Sequence, residues 1–332
     1  MKNSEKLTFL FVVIVLAFFA RALYPSVSAA PQEATADQSE IAAQQSGAPL
    51  VSLPQTSAID SANIASVPAP QNTTSSTSST DSFFSKIGSA PVPNFSNEAY
   101  MVADLTSGAV LSGSNTNNRW PTASLTKLMT ATIVMDTLPT STEITITPEM
   151  FTADPTEATL VVGDTYTVED LLHLLLMPSS NVAAEAMADF VGRAKFMQEM
   201  NMRAQEWGMQ NTYFDDPSGI SAANESTAND LLTLAQHVYN NYPEVLAITD
   251  TPVTTITELN SGKKITVHSI NVFAGEPIFI GGKTGNTPQA GGNLLSIFNY
   301  QGKPVFITVL GAPALPFEDT SMLYTWFRTN FT

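Results

Sequence analysis

Ser124 and Lys127, three positions apart, are the residues of this sequence best suited to nucleophilic chemistry. Apolar residues recur at helical spacing after Ser124, which predicts a helix to about Asp136. Pro121 followed by Thr122 is typical of a helix start, with Thr122 as the cap. Residues three apart share a helix face. A lysine whose pKa is lowered by burial or by a nearby cation can take the proton of a neighbouring serine and activate its hydroxyl.

A Ser-x-x-Lys pair does not by itself identify a site, because short motifs recur by chance. The chain contains a second pair, Ser261 and Lys264, in a polar stretch with Gly262. That stretch predicts a hairpin turn at the surface. The interpretation of Ser124 and Lys127 therefore depends on other parts of the chain.

Two more stretches place polar groups where regular structure is predicted to end. Ser179 and Asn181 come directly after Pro178, which breaks a strongly apolar helix predicted from about Val168. Lys283-Thr284-Gly285 stands at the end of a predicted strand. Taken separately, the first stretch is also typical of a loop with a helix cap, and the second of a strand ending in a turn.

The composition excludes several classes of site. The net charge is −16 and no basic cluster occurs, so nucleic acid is not expected as a partner. The chain has no cysteine, which excludes disulfides, thiolate chemistry and cysteine metal sites. His173, His237 and His268 lack the spacing of metal ligands, and no Gly-x-Ser-x-Gly elbow supports a serine–histidine triad. We predict neither a metal nor a cofactor.

The first 95 residues differ in composition and residue pattern from the rest of the chain. Residues 1–30 have a positive start, an apolar run from Leu7 to Ala20 and small residues before Ala30, which predicts a signal peptide or a retained N-terminal membrane anchor. Residues 31–95 are rich in Ala, Ser, Thr and Pro and predict a disordered linker, either a tether to the membrane or a plain spacer. We therefore expect export to the periplasm or to another extracytoplasmic cell-wall space.

Residues 96–332 have the patterns of one folded domain. Tyr100 and its neighbours predict a β-hairpin with Thr106-Ser107-Gly108 as the turn, and helices and then strands follow. Strands at both ends with helices between them indicate an α+β domain, in which helices pack on one antiparallel sheet. After the predicted helix of Ser124, further helices are expected from 168 to Pro178 and over 182–191, 194–207, 227–240 and 317–330, and strands over 254–257, 264–267, 277–285, 294–300 and 304–310.

The ordered set Ser124-x-x-Lys127, Ser179-x-Asn181 and Lys283-Thr284-Gly285 resembles the motifs of the serine-type D-alanyl-D-alanine carboxypeptidases, the low-molecular-mass penicillin-binding proteins. The resemblance runs from about Ala99 through Arg328 and implies the β-lactamase/DD-peptidase fold. It includes these flanking stretches: Asp104 with Thr106-Ser107-Gly108, Val168-Glu169-Asp170-Leu171-Leu172, Trp207-Gly208-Met209, Ser226-Thr227-Ala228-x-Asp230 and Ala290-Gly291-Gly292-Asn293-Leu294.

The resemblance implies a reaction on peptidoglycan stem peptides that end in D-Ala-D-Ala. Ser124 would attack the penultimate carbonyl and become acylated, and β-lactam antibiotics would acylate the same hydroxyl. Lys127 would be the general base. Asn181 would hydrogen-bond Lys127 and the substrate amide, while Ser179 and Lys283 would relay a proton to the departing D-Ala.

The resemblance also implies how the substrate would be held. Lys283 and Thr284 would bind the terminal carboxylate, and Gly285 would let the strand backbone approach the ligand. The backbone N–H groups of Ser124 and Asn286 would form the oxyanion hole.

The sequence departs from the family pattern at some positions. Ser180 stands where the family usually has glycine, and Ser218 stands where a histidine is common. The predicted catalytic domain also carries no C-terminal β-domain after its last helix. Shorter relatives without that domain include endopeptidases that cut D-Ala crosslinks, so the bond cleaved stays open.

Two other functions compete with the carboxypeptidase. A class A-like β-lactamase needs a deacylating glutamate in a Glu-x-x-Leu-Asn loop between the second and third motifs, and no glutamate there begins that pattern. We therefore expect slow turnover of penicillin. A non-catalytic wall-binding relative would have no reason to keep Ser124, Lys127, Asn181 and Lys283 together.

Overall fold

The computed structural model describes residues 82–332, and strands from both ends of this range meet in one sheet. In chain order the strands are β1 (Ala99–Asp104), β2 (Val110–Ser114), β3 (Trp120–Pro121), β4 (Glu143–Thr145), β5 (Thr165–Thr167), β6 (Glu225–Ser226), β7 (Val253–Thr257), β8 (Lys264–His268), β9 (Phe279–Thr287), β10 (Gly291–Tyr300) and β11 (Lys303–Ala312). The main sheet has the order β2-β1-β11-β10-β9, and each neighbouring pair is antiparallel. The predicted α+β class is confirmed.

Helices cover both faces of this sheet. They are α1 (Thr126–Thr137), α2 (Val168–Leu176), α3 (Asn181–Val191), α4 (Arg193–Glu206), α5 (Ala228–Asn241), α6 (Pro243–Asp250) and α7 (Phe317–Asn330). Side chains of β11 alternate between two apolar clusters, as the two-residue period of a strand requires. Phe306 and Leu310 join the large core with α1 to α6, whereas Ile307 and Val309 pack with α7 on the other face.

The central helix α1 is buried on all sides from Thr126 through Val134. A helix enclosed all round belongs to the core, where packing fixes its position firmly. Lys127 lies in its first turn and has no exposed surface. The core thus holds one buried amine at the start of its central helix.

The predicted start of this helix is wrong. Ser124 lies in a 3-10 turn, Ala123–Leu125, ahead of α1, and the Thr122 side chain caps neither element. The Thr122 hydroxyl instead donates to the backbone oxygen of Asn224 and contacts the Thr126 hydroxyl. Tertiary contacts have therefore replaced the local cap.

Most other predicted helix and strand boundaries agree with the structure to within about three residues. The Thr167 side chain accepts a hydrogen bond from the Asp170 N–H and caps α2, which ends before Pro178 as predicted. The predicted turn at Ser261 joins β7 to β8. Helix α6 was not predicted, although Pro243 at its first position is a typical start signal.

The folded part of the chain begins before the predicted boundary at residue 96. Phe84 is 4% exposed, and its ring packs edge-on against Phe327 of α7. The Trp326 indole donates to the backbone oxygen of Ala90. Residues 82–95 therefore belong with the domain rather than with the predicted linker, whose remainder lies, with the predicted signal peptide or anchor, outside the described residues.

None of the helices described between residues 82 and 332 is long and apolar enough to cross a membrane.

Candidate active site

The Lys127 amine lies at the centre of a small polar cluster inside the core. Its Nζ is 3.0 Å from the Ser124 Oγ, 2.7 Å from the Asn181 Oδ1 and 2.6 Å from the backbone oxygen of Ser218. The last two atoms can only accept hydrogen bonds, whereas a serine hydroxyl can also donate. A neutral amine can give its two hydrogens to Asn181 and Ser218 and turn its lone pair to Ser124. The cluster is thus suited to removing the serine proton.

The electrostatic surroundings favour this neutral form of Lys127. Burial lowers the pKa of Lys127 from 10.5 to about 7, although the negative charges of Asp216, Glu185 and Asp154 act in the opposite direction. About half of the amines are then neutral at pH 7, where an ordinary lysine is almost fully charged. Lys127 can accept a proton in the physiological range.

A second buried amine, Lys283 on β9, lies beside the first. Its Nζ donates to the Ser179 Oγ at 2.9 Å and to the Thr284 backbone oxygen at 3.0 Å. Burial holds the pKa of Lys283 well below its usual value, and the charge of Lys127 lowers it further. Ser179 has a positive φ of 69°, which is uncommon for a residue other than glycine and turns the chain sharply after Pro178.

Close contact between β9 and the Ser124 turn fixes the two parts relative to each other. A Cβ on Gly285 would stand 2.9 Å from the Thr122 backbone oxygen and 3.1 Å from the Ser124 nitrogen. The Asn293 amide of β10 donates to the Pro121 backbone oxygen at 2.8 Å and ties the same turn to the sheet. The glycine thus leaves space beside the Ser124 N–H that a larger residue would fill.

The resemblance implies that penicillin acylates Ser124, and we expect Gly285→Ala to slow that acylation on the order of 10²-fold, because the added methyl group pushes β9 away from the serine turn. Overpacking should also lower stability by about 1–3 kcal/mol. Stopped-flow acylation and thermal unfolding measure the two effects. Gly88→Ala is the matched control, because its Cβ would stand 2.5 Å from the Thr329 backbone oxygen on α7. It should destabilise the fold and leave acylation intact; equal acylation by Gly285→Ala and wild type would contradict the expectation.

The serine opens into a cleft with a volume of about 440 Å³. Polar residues of its lining include Ser124, Asn181 and Thr284, and apolar ones include Ile270 and residues 315–317. The complete lining is Ser124, Asp154, Pro178, Ser179, Asn181, Ile270, Thr284, Gly285, Asn286, Asn293, Leu315, Pro316 and Phe317. A cleft of this size, which combines several hydrogen-bonding side chains with apolar ones, suits a short peptide.

The structure brings all the predicted site residues together. Six of them line the cleft, and the two lysines lie beneath it with their amines hydrogen-bonded to the serines of the first two motifs. The six are Ser124, Ser179, Asn181, Thr284, Gly285 and Asn286. The second Ser-x-x-Lys pair is elsewhere: Ser261 donates to Glu258 in the β7–β8 turn, and both Ser261 and Lys264 are exposed.

Two contributors to the site were not predicted from the sequence. The Ser218 backbone oxygen binds Lys127 and is held by a turn in which the Asp216 carboxylate accepts from the N–H groups of Ser218, Gly219 and Ser221. The Asp-Pro-Ser-Gly sequence signals such a turn but not its partner. The other contributor is Asp154, which accepts from the Asn181 amide and follows a 3-10 turn (Pro148–Thr152), where no sequence signal marked it.

Comparison with known proteins agrees with this geometry. Residues 86–314 match the Peptidase S11 family model, described as D-alanyl-D-alanine carboxypeptidase. A D-alanyl-D-alanine endopeptidase of Escherichia coli is 31% identical over 73% of this chain and 80% of its own length. A D-alanyl-D-alanine carboxypeptidase of Mycobacterium tuberculosis is 28% identical over 72% of this chain and 84% of its own.

A solved structure gives the same result for the fold. The Streptomyces K15 DD-transpeptidase superposes with a TM-score of 0.65 at 29% identity and covers 71% of this chain and 98% of its own. Because the family model spans more than half of the chain, this protein belongs to the D-alanyl-D-alanine carboxypeptidase family of serine peptidases.

Proposed function

We propose that this protein hydrolyses D-Ala-D-Ala peptides of peptidoglycan through an acyl-serine intermediate on Ser124. The observation that carries the proposal is the contact of a buried, weakly basic Lys127 with the Ser124 hydroxyl. Membership of the peptidase family supplies the substrate class. The roles that we propose for the other motif residues rest on their positions around Ser124 and Lys127.

Acylation begins when the Ser124 oxygen attacks the penultimate carbonyl carbon and its proton passes to Lys127. The negative oxygen that forms is stabilised by the backbone N–H groups of Ser124 and Asn286, an arrangement worth about 3–4 kcal/mol for one donor in comparable enzymes. The C–N bond then breaks, and the leaving amine takes a proton that Lys283 and Ser179 can relay. Water completes the cycle by hydrolysing the acyl ester.

The terminal carboxylate of the substrate binds between Lys283 and the Thr284 hydroxyl. These two groups are 3.4 Å apart in the free protein, so one anion can contact both. An incoming carboxylate favours the charged form of Lys283 and opposes the effect of burial on its pKa. Binding and protonation of Lys283 are therefore coupled.

β-Lactams acylate the same serine, and the resulting acyl ester is hydrolysed slowly. The one acidic side chain in the described cleft lining is Asp154. Its Oδ1 accepts a hydrogen bond from Thr156, and its Oδ2 accepts one from Asn181. Glu185 is buried and paired with Arg193. No free carboxylate thus stands ready in this lining to activate a deacylating water, which favours a penicillin-binding peptidase over a β-lactamase.

We expect kcat/KM for D-Ala release to rise with pH through about 7, since Lys127 must lose its proton to act as the base. Below that pH the rate should fall about tenfold per unit. Initial rates between pH 5 and 9 measure this limb. A rate that is flat from pH 5 to 8, or that falls as Lys127 deprotonates, would contradict the assignment.

Carboxypeptidase and endopeptidase activity are separated by a pair of substrates. One is a stem peptide ending in D-Ala-D-Ala, and the other is a dimer crosslinked through D-Ala. We propose the carboxypeptidase reaction as the main one, so free D-Ala should appear faster than monomers released from the dimer. Faster cleavage of the dimer would assign an endopeptidase, and a protein that cuts neither and binds no fluorescent penicillin would be a wall-binding relative.

We further propose that the protein acts outside the cytoplasm, in the periplasm or cell-wall space, with residues 1–30 as export signal or membrane anchor and 31–81 as linker. A substrate in the cell wall requires export. Mass spectrometry of the mature N-terminus distinguishes cleavage near Ala30 from a retained anchor.

A further inference from the structure

The amide of Asn181 makes two hydrogen bonds of opposite kind inside the site. Its Oδ1 accepts from the Lys127 Nζ at 2.7 Å, and its Nδ2 donates to the Asp154 Oδ2 at 3.0 Å. Asn181 is the first residue of α3, and Asp154 lies in the loop between β4 and β5. One amide therefore joins the catalytic amine to a carboxylate of a separate loop.

Asp154 is held in place by its own loop. Its Oδ1 accepts from the Thr156 N–H at 3.1 Å and from the Thr156 hydroxyl at 2.7 Å, so Oδ2 is left facing Asn181. Burial disfavours ionisation of Asp154, yet the hydrogen bonds from Thr156 and Asn181 outweigh it and hold the pKa below its usual value. The group facing the amide is thus a fixed carboxylate.

The chemistry of a carboxylate decides which way the amide points. An ionised carboxylate only accepts hydrogen bonds, so the NH₂ end of Asn181 must face Asp154 and the oxygen must face Lys127. The opposite orientation would set the amide oxygen against the carboxylate and take the lone pair of the neutral Lys127 away from Ser124. We propose that Asp154 is a positioning residue, which fixes the Asn181 amide so that Lys127 keeps its lone pair for Ser124.

The carboxylate also acts on Lys127 through its charge. Lys127 is faced by Asp216, Glu185, Asp154 and Glu157, which raise its pKa, and lies beside the buried amine Lys283. Loss of Asp154 therefore has two separable effects. The Asn181 amide is misplaced at every pH, and the acid limb of the pH–rate profile, where Lys127 becomes protonated and the rate falls, moves to lower pH.

The test compares three variants by their rates of penicillin acylation between pH 5 and 9. Asp154→Ala removes charge and acceptor, and we expect a loss of about tenfold to a hundredfold that persists at pH 9, where Lys127 is neutral. Asp154→Asn keeps an acceptor and should recover most of the rate at pH 9, with the acid limb moved to lower pH. Glu157→Gln removes a neighbouring charge without touching Asn181, so it should shift the limb and leave the rate at pH 9 unchanged.

The inference is overturned if Asp154→Ala matches wild type at pH 9, or if Asp154→Asn is no better there than Asp154→Ala. Thermal unfolding confirms that the compared variants are folded. The inference rests on the proposed function, and the two fail differently. A wild-type protein that penicillin never acylates would defeat the proposed function, whereas acylation that ignores Asp154 would defeat the positioning role alone.

Discussion

Replacing Ser124 by alanine is expected to abolish covalent labelling by penicillin and to reduce D-Ala release on the order of 10⁴- to 10⁶-fold, as removal of the nucleophile does in other serine peptidases. Among the oxygens of described residues that the Lys127 Nζ contacts, only the Ser124 Oγ belongs to a hydroxyl that can act as a nucleophile, and the variant lacks it. The hydrogen bonds that hold the surrounding turn, from the Leu125 N–H to the Thr122 oxygen and from Asn293 to the Pro121 oxygen, do not involve this hydroxyl, so the fold should persist. Steady-state release of D-Ala from a synthetic stem peptide measures the loss.

The matched control is Ser261→Ala, in the second Ser-x-x-Lys pair. That serine is exposed and bonded to Glu258 in a remote turn, so its removal should leave the rate unchanged. Retention of more than about a tenth of the wild-type rate by Ser124→Ala would contradict the assignment, since even removal of a lesser member of a catalytic triad costs far more.

Replacing Lys127 by methionine is expected to slow acylation by about 10³- to 10⁴-fold, because the methionine side chain keeps the length but offers no base. The loss should appear mainly in kcat, as Lys127 lies below the cleft and not in its lining. Stopped-flow acylation by penicillin measures the step directly.

The effect of Lys127→Met on folding is separable from its effect on catalysis. The change leaves the Asn181 Oδ1 and the Ser218 backbone oxygen without their donor, which costs about 1–3 kcal/mol for a buried acceptor, while an apolar side chain removes the cost of burying an amine. Lys264→Met, at an exposed position, is the control and should keep the full rate. A folded Lys127→Met within tenfold of wild type would assign the base to another group.

The sequence predicted elements best where local patterns and tertiary packing agree. The end of α2 before Pro178 and the strands over 294–300 and 304–310, which pair as β10 and β11, were predicted from local signals. The start of α1 was not, because its geometry depends on distant contacts. Ala123 has a positive φ of 48°, and the missing Cβ of Gly219 lets the 219 backbone lie against the Ala123 carbonyl group.

The residues of the site also fall into two groups, those with a local sequence signal and those without one. Motif side chains could be found because serine, lysine and asparagine at fixed spacing have a chemical reason to recur together. The Ser218 carbonyl could not, since it is a backbone group 91 positions from Lys127 and carries no residue signature. Asp154 lies 27 positions from Asn181 in an irregular loop, where neither period nor capping indicates a partner. Only folding brings the Ser218 carbonyl to the Lys127 amine and Asp154 to the Asn181 amide.

Peptide mapping of the protein after incubation with penicillin tests directly whether Ser124 is the nucleophile. Proteolysis and tandem mass spectrometry locate the added mass on a residue. We expect one penicilloyl group per molecule, on Ser124, and none on Ser179 or Ser261. An adduct on any other residue, or a fully folded protein with no adduct, would contradict it.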